Sequence, residues 1–418
     1  MQPFRFVHAA DLHIDSPFAG IGETDKHVAE RLRESTFQAF QNLVELCIKN
    51  DAKFLVIAGD VYDGADRSVR AQLRFRDGLS KLAENGIQSF IVHGNHDPLD
   101  GWQSSIEWPE GVHIFGNSPE WMNVEFDGEL LASVQGMSYP TQEVTDNLAI
   151  QFSAPQSDVF SIGLLHANVG GNTAHAPYAP CTVEELSQTG IDYWALGHVH
   201  TRQTLKSSNP VIAYPGNTQG RHPNETGARG ALVVNVDGSG QATTEFASLD
   251  VVRWERDELD ISNLESLDQL DSAVRQHTDN LSVQAEGRDV VCRINLVGRG
   301  PLHEQLQREG EIDDLIERAR TAWSGSESPW VWTDKIINST RPSMDVEDRA
   351  KQDDFLGAAL SRTIGYKSDK SELEKLEKVV AEVFSGRRNS LPTANSEQLS
   401  DWTEEATWYL AELLENGR

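Results

Sequence analysis

The sequence predicts an α/β protein with more than one domain. Its 418 residues are too many for one modest core. Residues 1–250 alternate short apolar runs with segments of helical periodicity, as βα units do, and the composition changes near residue 250. Five of the apolar runs are followed directly by Asp, Asn or His side chains. We therefore expect a large α/β domain first, with a functional site at the ends of its strands.

The elements of this first domain can be predicted in chain order. Nine apolar runs are predicted strands: RFVHAA, KFLVIAG, SFIVHG, VHIFG, LLASVQG, VFSIGLLHA, YWALGH, VIAYPG and ALVVNV. Apolar residues recur at helical spacing over 28–50, and a second helix is predicted over 68–84, before Gly86. A third helix begins at Thr182, where Glu185 completes a capping box, and ends at Gly190.

The remaining chain predicts two smaller parts, so the expected domains are residues 1–250, 251–340 and 341–418. The middle part is expected to be α+β, with helices near 265–279 and 302–323 and strands DVVCRINLVG and PWVWTDKII. The last part is expected to be helical. Its final segment aligns six apolar residues along one stripe: Leu399, Trp402, Ala406, Tyr409, Leu410 and Leu413. Such a stripe packs on its own domain or docks a partner helix.

Composition excludes several classes of protein. A net charge of −29 argues against a protein that binds nucleic acid with its whole surface, so a polyanion would have to bind locally. The basic run RSVRAQLRFRDGLSK is more typical of a solvated helix face. Cys47, Cys181 and Cys292 are odd in number and widely spaced, which predicts buried free thiols. The sequence contains neither a run of eighteen apolar residues nor a signal peptide, which predicts a cytoplasmic protein without a membrane partner.

Potential ligands follow five of the predicted strands. They are Asp11 and His13 in D-L-H, Asp60 and Asp63 in G-D-V-Y-D, Asn95, His96 and Asp97 in G-N-H-D, His166 in L-L-H-A-N, and His198 and His200 in G-H-V-H. In an extended chain, residues two apart point the same way and reach a common pocket. Open α/β sheets gather such strand ends in one crevice. Each of these residues alone is more typical of a turn, a surface or a core, so the evidence is their ordered recurrence.

The types of these side chains indicate a pair of divalent cations. Two carboxylates, one amide and four imidazoles supply about four donors for each of two ions if one carboxylate bridges them. This mixture suits first-row transition metals, whereas calcium prefers oxygen alone. Two dications, two carboxylates and one hydroxide would leave the site at about +1, which favours a phosphodiester anion. His96 is predicted to be the general acid, with Asp97 holding its tautomer and Asp63 in a similar supporting place.

The ordered pattern over residues 11–200 resembles that of the calcineurin-like metallophosphoesterase superfamily. The segments HAADLHIDSPF, AGDVYDGADRS, HGNHDP, LLHANVGG, LGHVH and PGNTQGRH are most similar to SbcD-type DNA repair exonucleases, in particular their YhaO-like branch. The resemblance implies a four-layer α/β sandwich, in which helices flank two central mixed β-sheets, with a small α+β cap and a C-terminal helical segment. It also implies that Asp11, His13, Asp60 and His200 hold one metal ion, and that Asp60, Asn95, His166 and His198 hold the other. Manganese is the expected metal, with zinc or iron(II) as alternatives.

The function implied is metal-dependent exonuclease cleavage of DNA by the nuclease component of a repair complex with an SMC-like ATPase. A homodimer is compatible with this organisation. Arg67 and Arg221 are expected to contact the substrate. The alternatives are a small-molecule phosphodiesterase or phosphatase, although Asp97 stands where the phosphatase pattern has Glu, and a scaffold without turnover. The complete ligand set argues against a scaffold.

Overall fold

A computed structural model of the protein describes residues 1–16, 25–64, 68–101, 106–155, 158–171, 178–323, 329–368, 370–385 and 396–415. The chain divides into two compact units. Unit 1 contains residues 1–256, 278–293 and 323–334, and unit 2 contains residues 257–277, 294–322 and 335–418. Every strand-end residue named above belongs to unit 1.

The strands and helices of the described residues have the following bounds. The strands are β1 (Phe4–Ala9), β2 (Phe54–Ala58), β3 (Gln88–Val92), β4 (Val112–Ile114), β5 (Glu120–Phe126), β6 (Glu129–Met137), β7 (Phe160–His166), β8 (Tyr193–Gly197), β9 (Gln203–Ser207), β10 (Val211–Tyr214), β11 (Gly230–Val236), β12 (Ala242–Ser248), β13 (Val252–Asp260), β14 (Asp289–Val297) and β15 (Val331–Asn338). The helices are α1 (Lys26–Lys49), α2 (Val69–Glu84), α3 (Val183–Gln188), α4 (Leu267–Gln284), α5 (His303–Leu306), α6 (Glu311–Ala322), α7 (Val346–Arg349), α8 (Phe355–Ser368), α9 (Lys370–Ser385) and α10 (Ser396–Glu415).

Two mixed sheets form the centre of unit 1. The first has the order β12-β11-β1-β2-β3-β4, and the second has the order β5-β6-β7-β8-β10-β9. Strands β1 to β4 run parallel to one another, as do β6, β7, β8 and β10. A third sheet has the order β13-β14-β15. In each large sheet, parallel pairing therefore brings the carboxyl ends of the ligand-bearing strands to one edge.

Three apolar clusters make the layers of unit 1. Phe6 stacks on Phe54 of the same sheet at 4.8 Å between ring centroids and meets Tyr193 of the other sheet edge-on at 5.2 Å. Helices α1 and α2 pack on the other face of the first sheet, and α3 packs on the other face of the second sheet. The predicted fold, two mixed sheets flanked by helices, is confirmed.

Most predicted elements are present. Each of the nine predicted strands of the first domain and its three predicted helices occur, including the capping box at Thr182. Strands β5, β9, β12 and β13 were not predicted. The helix expected over 302–323 is two helices, because Gly310 between them has φ +89°. The three cysteines are buried and free, as predicted.

The predicted stripe on α10 divides between two faces of the helix. Leu399, Thr403, Thr407 and Ala411 are buried at intervals of four residues, and Trp408 is buried beside them. Trp402 and Tyr409, in contrast, are 46% and 65% exposed. Packing within the described residues therefore covers only part of the predicted stripe. Within the described ranges, no helix has the length and apolarity needed to cross a bilayer.

Candidate metal centre

Side chains from five strand ends of unit 1 meet around the carboxylate of Asp60. Asp60 Oδ2 lies 3.8 Å from Nε2 of His13 and 3.4 Å from Nε2 of His166. On one side, His200 Nε2 is 3.2 Å from His13 Nε2. On the other, Asn95 Oδ1 is 3.1 Å from His166 Nε2. Asp60 therefore lies between two groups of donors.

Asp11 and His198 complete the two groups. Ligand atoms of Asp11, His13 and His200 lie within 4.8 Å of one another, and so do those of Asp11, Asp60 and His166. The His198 ring is 5.2 Å from the His166 ring, and its backbone N–H donates to Asp11 Oδ1 at 3.1 Å. The structure thus brings together the seven predicted metal ligands.

The backbone reaches this arrangement through turns. Asp11, His13 and Asp60 have φ values of +51°, +44° and +50°, and His198 has φ +104°. The expectation that D-x-H and H-x-H converge by strand alternation is corrected, because β1 and β8 end before these residues. The two turns after β1 and β2 run side by side, since His13 N donates to Asp60 O at 3.0 Å. Such left-handed positions are costly outside glycine and concentrate at functional sites.

Glycines give His166 the space to enter the centre. A Cβ on Gly59, which has φ +86°, would lie 2.4 Å from His166 Nδ1. A Cβ on Gly94 would lie 2.3 Å from Asp60 Oδ1, and one on Gly197 would lie 1.7 Å from the Ala58 carbonyl oxygen. The glycines in G-D, G-N-H-D and G-H-V-H are therefore required by close packing.

The Nδ1 atoms of three imidazoles contact oxygen acceptors. His166 Nδ1 donates to the Ala58 carbonyl at 2.9 Å, and His200 Nδ1 donates to Glu225 Oε1 at 2.6 Å. His13 Nδ1 lies 3.0 Å from Asp63 Oδ1. The hydrogen bonds of His166 and His200 place the proton on Nδ1 and turn the Nε2 lone pairs inward, and the Asp63 carboxylate beside His13 favours the same tautomer. The facing Nε2 atoms of His13 and His200 are then two acceptors at 3.2 Å, an arrangement that a cation between them stabilises.

Burial alone disfavours the charged forms of these groups. It raises the pKa of Asp60 well above its usual range, with a further increase from the charges of Asp97 and Asp11, and it raises the pKa of Asp11 to about 6. Burial also lowers the pKa values of His13 and His166. Two dications would stabilise the ionised carboxylates and neutral imidazoles together. The nitrogen and oxygen donors fit divalent transition metals.

His96 lies at the accessible side of the centre. Its side chain is 40% exposed, its ring is 5.0 Å from that of His13, and its backbone N–H donates to Asp60 Oδ1 at 2.9 Å. His96 Nδ1 is 3.6 Å from Asp63 Oδ1. Burial lowers the pKa of His96, and the Asp63 carboxylate opposes that shift.

Asp97 supports the turn that carries His96. Its Oδ1 accepts from Gly94 N at 2.8 Å, and its Oδ2 accepts from Val61 N at 2.9 Å and lies 2.9 Å from His93 Nδ1. The structure thus ties Asp97 to the fold of the two turns. It places Asp63, for which the sequence indicated a similar supporting role, beside the His96 ring.

The basic residues named from the sequence differ in their surroundings. Arg67 lies outside the described residues. Arg221 is 14% exposed in its side chain and donates through Nη1 to Asp63 Oδ1 and, at 2.8 Å, to Ser16 Oγ. Arg70 and Arg74 both pair with Glu34, which fits the interpretation of the basic run as a helix face.

Sequence reasoning missed Glu225, because it lies in a loop after β10 rather than at the end of a predicted strand. Burial disfavours its charge, but hydrogen bonds and charge from His200 and Arg221 outweigh burial and hold the pKa of Glu225 below its usual range. The pKa of Asp63 is also lowered, because its interactions with His13 and Arg221 outweigh the opposing effect of burial. Both carboxylates beside the centre are therefore ionised at neutral pH.

Comparisons with known proteins identify the family of this chain. The calcineurin-like phosphoesterase family model matches residues 4–202, and the model of the middle domain of metallophosphoesterase YhaO matches residues 254–341. The chain is 36% identical over 341 residues to the uncharacterized metallophosphoesterase YhaO of Bacillus subtilis, across 81% of this chain and 83% of that protein. The chain belongs to the calcineurin-like metallophosphoesterase family. Metallophosphoesterases of this family use a dinuclear centre of divalent metal ions, for which the strand-end residues are the candidate ligands here.

Nucleases are among the more distant relatives of this metallophosphoesterase. It is 24% identical over 290 residues to the SbcD component of the nuclease SbcCD of Bacillus subtilis, across 60% of this chain and 72% of that protein. It is 25% identical over 227 residues to the DNA double-strand break repair protein Mre11 of Methanococcus maripaludis, across 51% of this chain and 57% of that protein.

Proposed function

We propose that this metallophosphoesterase is a metal-dependent exonuclease that hydrolyses DNA phosphodiester bonds. The observation that carries the proposal is the pair of donor groups on either side of Asp60, with imidazole Nε2 atoms turned inward. The similarity to the SbcD component of SbcCD and to Mre11 supports DNA as the substrate.

The proposed centre has two subsites that share Asp60. Subsite 1 consists of Asp11, His13, Asp60 and His200, and subsite 2 consists of Asp60, Asn95, His166 and His198. We propose that both hold Mn²⁺, although the same donors also suit Zn²⁺ or Fe²⁺. When bound, two such cations neutralise phosphate oxygens and make a water molecule more acidic. The chain's own contribution is to fix the donors in advance, through buried turns and oriented imidazoles.

His96 is proposed as the catalytic histidine. It is the most exposed of the five imidazoles at the centre, so its ring can reach a substrate phosphodiester. There it would hydrogen-bond a phosphate oxygen and donate a proton to the leaving oxygen, a role that is typically worth about 10²- to 10⁴-fold in rate. Asp63, 3.6 Å from His96 Nδ1, would orient the ring.

Residues 251–340 are proposed to form a cap that shapes DNA access, and residues 341–418 to bind an SMC-like ATPase. A groove of about 540 Å³ in unit 2 supports the second assignment. Its lining includes Arg341, Trp402 and Tyr409, and the two aromatic side chains are exposed. Exposed aromatic side chains beside a cation are common features of protein interfaces.

Cleavage of end-labelled DNA by the full chain tests the proposed activity. We expect cleavage from an end with Mn²⁺ and none with a chelator. Hydrolysis of bis-p-nitrophenyl phosphate without action on single- or double-stranded DNA would instead identify a small-molecule phosphodiesterase. Absence of both metal binding and hydrolysis would indicate a scaffold.

Replacement of the two exposed aromatic residues tests the partner site. The W402A/Y409A variant should bind the SMC-like ATPase more weakly, because it removes the aromatic lining of the groove. F355A is the matched control, since Phe355 is 77% exposed in the same unit and does not line the groove. Equal loss of binding in both variants would contradict the assignment of the groove.

A further inference from the structure

The loop after β10 surrounds His200 with hydrogen-bond partners. Glu225 Oε1 accepts from His200 Nδ1 at 2.6 Å. Its Oε2 accepts from Arg221 N at 2.7 Å and from Asn217 Nδ2 at 3.0 Å. From the same loop, Arg229 Nη1 donates to the His200 carbonyl at 2.5 Å. Both the ring and the backbone of this ligand are therefore fixed from one loop.

Arg221 connects this loop to the second histidine of subsite 1. Its backbone N–H bonds to Glu225, while its Nη1 bonds to Asp63 Oδ1, the oxygen that lies 3.0 Å from His13 Nδ1. Ser16 Oγ donates to Asp63 Oδ2 at 2.9 Å and holds the carboxylate from its other side. A continuous chain of contacts thus runs from His200 through Glu225, Arg221 and Asp63 to His13.

Subsite 2 is supported differently. His166 Nδ1 donates to the backbone carbonyl of Ala58, a neutral acceptor, at 2.9 Å. Carboxylate acceptors increase the basicity of an imidazole that binds metal, and loss of such an acceptor typically weakens metal binding about 10- to 100-fold. The Glu225 carboxylate therefore makes His200 a stronger donor than an imidazole held by a neutral carbonyl.

We propose that Glu225 is a positioning residue that fixes the tautomer of His200 and thereby raises the affinity of subsite 1 for its metal ion. This inference rests on the proposed metal centre and goes beyond it by assigning the loop over 215–229 to metal affinity.

Stepwise Mn²⁺ binding to the chelator-stripped full chain tests the inference. Calorimetric titration at fixed pH should show two Mn²⁺ binding steps in the unmodified protein. E225Q keeps an acceptor oxygen but loses the charge, so it should weaken one step about 10-fold, and E225A should weaken that step up to about 100-fold. The other step should stay unchanged. E245Q is the matched control, because Glu245 is an exposed glutamate on β12 of the same unit.

The outcomes separate this inference from the proposed function. An E225Q protein that binds Mn²⁺ like the unmodified one, or one in which both steps weaken equally, would overturn the inference and leave the metal centre intact. A chain that binds no Mn²⁺ would overturn both. Matching urea unfolding curves of the metal-free variants show that any change in affinity is local. If E225A does not fold, E225Q decides alone.

Discussion

At the scale of single residues, the centre depends on which nitrogen of each imidazole carries the proton. Asp63, Ala58 and Glu225 each present an oxygen to Nδ1 of one ligand histidine. The sequence predicted the ligands because each follows an apolar run. It did not predict Glu225 or the left-handed backbone of the turns, since both depend on contacts between distant parts of the chain.

Replacement of the proposed acid tests the chemistry without disturbing the ligands. H96Q should lower DNA cleavage by about 10²- to 10⁴-fold, because glutamine cannot supply the proton. Metal content, measured by plasma mass spectrometry, should stay the same, since the His96 ring is not among the proposed ligands. Full activity in H96Q would rule out His96 as the acid.

His8 tests how burial affects stability at acid pH. Burial lowers its pKa to about 3, against a smaller opposing effect from the Leu196 carbonyl. Between pH 6.5 and 3, His8 therefore binds a proton more readily in the unfolded chain than in the folded chain. The free energy of unfolding falls as the pH falls through this range. The contribution of one such group is at most about 1.4 kcal/mol per pH unit.

The measurement is the free energy of unfolding in urea between pH 7 and 5, with metal removed. H8Q should show a shallower pH dependence than the unmodified protein, because glutamine keeps polar groups beside Tyr193 and Leu196 but does not titrate. The other buried histidines contribute equally to both proteins. Parallel curves would contradict the proposed role of His8.

At the scale of elements, the four strands that the sequence did not predict have the same place in their sheets. β5, β9, β12 and β13 each lie at the edge of a sheet, and their sequences EWMNVEF, QTLKS, ATTEFAS and VRWERDELD mix charged and polar residues. Edge strands tolerate such composition because one side faces solvent, and charge there discourages aggregation. The apolar signal that identified the central strands is therefore weak at the edges.

Close packing of the turns gives a prediction at the same scale. In G94A the new Cβ would lie 2.3 Å from Asp60 Oδ1 and 2.9 Å from His166 Cδ2, so the shared carboxylate must move. A shift of about 1 Å in a site can reduce the rate on the order of 100-fold. G116A is the control, because a Cβ there meets nothing within 4 Å. Steady-state cleavage rates that are equal in the two variants would contradict this account.

At the scale of the whole molecule, a chain of net charge −29 carries its candidate metal centre in its own interior. The candidate ligands come from five strand ends that span residues 11–200, and parallel pairing in each of the two sheets brings them to its carboxyl edge. The order of motifs indicated this convergence. The sequence indicated PGNTQGRH and Arg221 in the loop over 215–229 but not Glu225, whose contribution appears only from its contact with His200.

The number of manganese ions bound per chain tests the central claim most directly. Anomalous diffraction from crystals grown with Mn²⁺, together with plasma mass spectrometry, should find two ions flanking Asp60 in the unmodified protein. D60N should lose both, because the two subsites share this carboxylate. An unmodified chain without ions beside Asp60, or a D60N chain that retains two, would contradict the account.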